Sequence, residues 1–176
     1  MSIQSAPATA TTTQLPIPRW LSALLIIAAF GHVMLSLTSL PVLFGDWNEA
    51  PGPGLGGKIT LLKIALEPVL GLLAAYFLIA AKLRSAVFMF AAIYALTWAS
   101  FLPSVIGQAD DAKPDAFFRA QMIFELYLAP VIALAIAAIA IANSHLLTAS
   151  LLALAPAVFH FVSFLIFSSA LLIHGF

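Results

Sequence analysis

Two glutamates stand where a carboxylate is expensive. Glu67 in "KIALEPVLG" and Glu125 in "QMIFELYLAP" each interrupt a long apolar run. If those runs cross a bilayer, each carboxylate costs roughly 3 kcal/mol to insert. A group in that position faces the bundle interior, finds a partner, or carries a proton. Each glutamate also follows a polar residue by four positions, Lys63 before Glu67 and Gln121 before Glu125. Positions i and i+4 share a helix face, so each carboxylate lies one turn inward of a hydrogen-bond donor.

Prolines lie beside both. Pro68 has no N–H for the carbonyl of Ile64, and Pro130 has none for Leu126. In lipid such a carbonyl must find another donor. Pro41, Pro103 and Pro156 loosen other runs in the same way.

Two histidines occupy comparable settings, His32 and His160. Counting inward at about 1.5 Å per residue puts both glutamates roughly 12 Å below one surface, His32 roughly 17 Å and His160 roughly 20 Å. Trp98, Thr97, Ser100 and Tyr127 fall in the same slab. His145 and His174 sit at run ends and read as solvated.

The ligand set Glu67, Glu125, His32 and His160 suits a divalent metal, a proton or a small cationic solute. Lys63, Gln121, Trp98 and Tyr127 complete the candidate site. The repeated Glu-x-x-His of di-iron bundles is missing. An alternative is one b-type haem between His32 and His160, which requires their helices to be neighbours. A third reading is an accessory protein that binds an apolar ligand or a partner membrane subunit, or assembles with itself. Small residues in "ALAIAAIAIA" permit close helix approach. Aromatics offer a pocket lining: Phe88, Phe90, Tyr94, Trp98, Phe101, Phe159, Phe161, Phe164 and Phe167. Each feature also has a plainer explanation in a Lys63–Glu67 ion pair, helix-to-helix hydrogen bonds and lipid-facing rings. An enzyme using a glutamate as general base stays open, but no nucleophile with an adjacent base and no hydrolase motif is legible, which favours a non-catalytic role. The "PGPGLGG" segment lacks the Lys-Ser/Thr ending of a phosphate-binding loop.

The elements that would position these groups follow from composition. Of 176 residues, 63% are hydrophobic and 8% charged, with mean hydropathy +1.11. Soluble domains carry about 25% charged residues, so the bilayer is the expected solvent. Seven basic residues balance seven acidic ones, which excludes the basic surface that nucleic acids require. The absence of cysteine excludes disulfides, thiolate metal sites and thiol redox chemistry.

Five runs reach the roughly 20 apolar residues of a spanning helix: 19–44, 59–81, 85–106, 117–142 and 148–173. No strand-like alternation competes. The fold class is therefore all-α, an integral membrane bundle of five transmembrane helices. Short connections at 81–85 and 142–146 make spans two–three and four–five tight hairpins. Residues 45–58 and 107–116 are the longer loops, rich in Gly, Pro and acids. Residues 1–18 are uncharged in their side chains and rich in Ala, Ser, Thr and Pro, and read as a disordered tail ahead of a single domain, 19–176. With no basic stretch before it, the first run reads as a retained helix and not a cleaved signal. The Lys and Arg count nearly ties between the two sides. Lys82 and Arg84 in the tight turn favour a cytoplasmic N-terminus, in a small protein of bacterial inner-membrane type. A faint echo links "LEPVLGLLAAYFLIAA" to "LAPVIALAIAAIAIA", as a duplicated hairpin would.

Overall fold

The structure is a computed structural model that describes residues 17–45, 54–107 and 116–174. The expected tail and most of both longer loops lie outside the described residues. The first span is helix α1, Arg19–Ser39, which tightens into a 3-10 turn at Leu40–Phe44. Pro41 accounts for the change, because it can neither donate to nor fit within a continuing α-helix. Helix α2 is Gly54–Ile79, α3 is Leu83–Gly107 and α4 is Ala116–Ile123. A π-helical turn at Phe124–Leu128 joins α4 to α5, Ala129–Ala142. Helix α6 is Leu146–His174. With α4, the π turn and α5 forming one span, five helical segments are long and apolar enough to cross a membrane. The chain is an all-α, multi-pass membrane protein.

Helix α2 starts five residues before the expected Ile59, inside what reads as loop. Gly56 there is a packing residue. A Cβ on Gly56 would sit 2.7 Å from Pro103 Cβ, so α2 and the end of α3 meet at a distance only glycine allows. Lower on the same helix, a Cβ on Gly71 would lie 2.8 Å from Val33 Cγ2 and 3.0 Å from the Ala29 carbonyl. That close approach brings α1 onto α2.

Helix α3 is the centre of the bundle. It packs on α2, α5 and α6, while α1 closes the ring by touching α2 and α6. Its inner face buries Ala86, Val87, Phe90, Ala91, Ile93 and Tyr94. Opposite lie Leu21, Leu25 and Ala29 of α1, Ala74 and Ala75 of α2, and Ala149 and Ala153 of α6. Side chains such as Ile27, Leu35, Leu72, Ile79 and Leu134 point outward. An apolar outer face this wide is what lipid requires and what water penalises.

One face of α5, which carries three of its alanines, turns inward. Ala129, Ala133, Ile136 and Ala140 are buried, and the α5 helix they lie on packs against α3. Both tight turns are built on left-handed residues, Ala81 (φ 56°), Asn143 (φ 50°) and His145 (φ 48°). The Lys82 N–H bonds the Phe77 carbonyl at 2.7 Å and the Ser144 N–H bonds that of Ile139 at 3.3 Å. These bonds close the helix ends by satisfying carbonyls that would otherwise be orphaned. Arg84 then ties one turn to the other by donating to the Ile141 carbonyl at 3.2 Å.

Candidate functional site

The four ionisable groups singled out in the sequence come together as two pairs, each joining two helices. In the first, His32 Nδ1 of α1 lies 2.8 Å from Glu67 Oε1 of α2. Lys63 Nζ, one turn away on α2, is 3.8 Å from Glu67 Oε2. Both oxygens of Glu67 therefore face a nitrogen. The His32 ring is held on its other sides by Phe90 and Tyr94 of α3, at centroid distances of 6.4 and 5.7 Å. Ser36, one turn further along α1, is also buried and bonds back to the His32 carbonyl at 2.8 Å. This pair is closed: the side chains of His32 and Glu67 are 8% and 10% exposed.

The second pair is open on one side. His160 Nε2 of α6 lies 3.3 Å from Glu125 Oε1 in the π turn, and its side chain is 31% exposed against 8% for Glu125. Glu125 Oε2 is buried and has no hydrogen-bond partner among the described residues. Phe124 stacks on Phe159 at 3.8 Å, and the His160 ring meets both edge-on, at 6.2 and 6.0 Å. These contacts hold the imidazole against the carboxylate.

A cavity of ≈ 420 Å³ borders the second pair. Its wall holds Glu125, His160, Lys63, Gln121, Thr97 and Ser100, with Ser39, Thr60, Ile64 and Phe101 completing it. All five spans contribute. Lys63 connects the two halves, since it borders this cavity and also faces Glu67. Glu67 and His32 lie behind it and are not on the cavity wall. The sequence reading missed Ser39 and Thr60. Thr60 precedes Lys63 by three and Ser39 follows His32 by seven, so helical spacing placed each on a polar face already under consideration.

The π turn explains how Glu125 and Pro130 coexist. The Ala129 N–H reaches back five residues to the Phe124 carbonyl, and this widened turn absorbs the missing donor of Pro130. The Leu126 carbonyl that Pro130 leaves without its usual partner accepts from Trp98 Nε1 of α3, at 3.3 Å. Trp98 thus belongs to the site as a support for the π turn. Pro68 sits differently, inside a helix that stays α-helical throughout. The echo between the two proline segments does not extend to their local geometry.

Tyr127 does not join the others. It is 63% exposed and falls outside the cavity, because a residue two positions beyond Glu125 projects from nearly the opposite side of a helix. Nor do the four ionisable groups converge on one point. Among the described residues, no three His, Asp or Glu side chains gather as a metal ion would need. Helices α1 and α6 do touch, the neighbour relation a bis-histidine haem requires. Yet His160 already uses Nε2 on Glu125 and His32 is packed among rings. Of the aromatics expected to line a pocket, Phe90 and Tyr94 are core, Phe161 faces outward, and the side chains of Phe164 and Phe167 lie outside the described residues. Tyr94 donates its hydroxyl proton to the Ala153 carbonyl, in the turn that precedes Pro156. No protein-family profile, curated protein or solved structure matches the chain.

Proposed function

We propose that this protein binds and releases a proton within the membrane at the Glu125–His160 pair. The polar cavity would carry exchange with water at the surface of the longer loops. The observation that carries the reading is Glu125 Oε2, a buried carboxylate oxygen without a partner among the described residues. An ionised carboxylate in that state is poorly compensated, and a proton on it removes the charge. His160 Nε2, 3.3 Å from the other oxygen, is the adjacent base. Glu67 contrasts with it, having His32 on one oxygen and Lys63 on the other.

Among the ligands that two carboxylates and two imidazoles allow, the buried position of Oε2 favours the proton. A larger cation or solute would have to displace packed atoms to touch that oxygen. A metal would need a third donor. A haem between His32 and His160 would need the His160 imidazole turned away from Glu125, because Nε2 is the nitrogen that faces the carboxylate.

The test is infrared difference spectroscopy on the purified protein in lipid nanodiscs, taken across a pH jump. A protonated-carboxyl band that appears on acidification should vanish in Glu125→Gln and persist in Glu67→Gln. A band unaffected by Glu125→Gln would remove the proposal. A visible spectrum of the same sample checks the haem alternative, for which a Soret band lost in His32→Ala is the expected sign.

A further inference from the structure

The opposite end of the bundle carries a second cavity, of ≈ 370 Å³, between α2, α3 and α5. Its wall is Phe77, Phe88, Met89, Ala140 and Ile141, with Arg84 and Ser85 at the end next to the tight turns. It does not overlap the proposed proton site, and no described residue lines both cavities. We propose that it holds one anionic phospholipid, with the phosphate on Arg84 and Ser85 and an acyl chain against the rings of Phe77 and Phe88.

Three observations support a lipid of this charge. Arg84 is exposed and fixed in place by its bond to the Ile141 carbonyl, which uses one of five guanidinium donors and leaves the others for an anion. Among the described residues, the charge on this surface has one sign. Arg19, Lys82 and Arg84 lie at the end of the bundle that carries the tight turns, while the two described acidic residues, Glu67 and Glu125, lie within the spans. Trp20, at the start of α1 on the same side, is 57% exposed, as an indole at the headgroup level is. Basic pockets between membrane helices take anionic headgroups for this reason. The apolar wall selects lipid over a free anion: Phe88 and Ile141 are exposed within it, and an acyl chain would cover them.

The experiment uses full-length protein, delipidated in mild detergent and titrated with short-chain phosphatidylglycerol or phosphatidylcholine while native mass spectrometry counts bound lipid. Wild type should bind phosphatidylglycerol about fivefold or more tightly than phosphatidylcholine, the effect of one basic side chain near a headgroup. Arg84→Gln should abolish that preference. Ile141→Trp, which fills the apolar wall and keeps the backbone carbonyl that holds Arg84, should weaken both lipids. Inorganic phosphate at millimolar concentration should leave bound phosphatidylglycerol in place. Equal binding of the two lipids by wild type, or a preference that survives Arg84→Gln, overturns the proposal. Displacement by phosphate alone also overturns it, since the site would then be one for a free anion. Circular dichroism of both variants separates lost binding from lost folding.

Discussion

Replacing His32 by Phe tests whether the closed pair holds α1 to α2. Phenylalanine keeps an aromatic ring against Phe90 and Tyr94 and removes only the donor 2.8 Å from Glu67 Oε1. Two limits bracket the cost. Interhelical hydrogen bonds in membrane proteins average about 0.6 kcal/mol, which sets the floor. The ceiling is the cost of keeping an ordinary carboxyl neutral at pH 7, about 3.7 kcal/mol, because protonation is always available as an escape. Glu67 is buried, its bond to His32 is short, and Lys63 at 3.8 Å compensates only in part. The value should therefore fall near 2–3 kcal/mol, above a neutral pair and below the ceiling. Glu67→Gln keeps an oxygen acceptor for the imidazole and should cost under about 1 kcal/mol. The double variant His32→Phe, Glu67→Leu removes both polar groups and should be more stable than His32→Phe alone. Reversible unfolding in mixed micelles measures all of these, and adding the single variant Glu67→Leu closes the mutant cycle that isolates the coupling. A His32→Phe variant within about 0.5 kcal/mol of wild type, or a double variant less stable than it, would refute the argument.

The other predictions concern how the sites are held. Trp98→Phe removes the donor to the Leu126 carbonyl and should cost about 1 kcal/mol in the same unfolding assay. It should also shift the Glu125 carboxyl band, because the π turn loses its support. Gly71→Ala places a methyl against Val33 Cγ2 and the Ala29 carbonyl and should destabilise by about 1–3 kcal/mol. Gly31→Ala is the control. A Cβ there meets nothing within 4 Å, so the change should be neutral or stabilise by up to about 1 kcal/mol, and equal effects at Gly71 and Gly31 would count against the close α1–α2 contact.

The elements were written in the chain, because lipid leaves a backbone few choices. A run of about twenty apolar residues becomes a helix wherever water cannot satisfy its amides, and five such runs give five spans. Local chemistry was also legible. Lys63 and Glu67 share a face because helical spacing dictates it, and Pro130 announced an unpaired Leu126 carbonyl. What lay beyond the sequence was which helix faces which, since apolar periodicity says little when every side is greasy. Tertiary packing paired His32 with Glu67 and His160 with Glu125, and it aimed the Trp98 indole at the Leu126 carbonyl. It also closed one pair behind Phe90 and Tyr94 and left the other beside a cavity. Tyr127 shows the limit most plainly: depth placed it with the glutamates, but its position around the helix put it outside. Depth is a one-dimensional quantity that can be counted along a chain, whereas convergence depends on the rotation and contact of five helices. Here glycines at 56 and 71, the inward alanines of α5 and one π turn set that rotation.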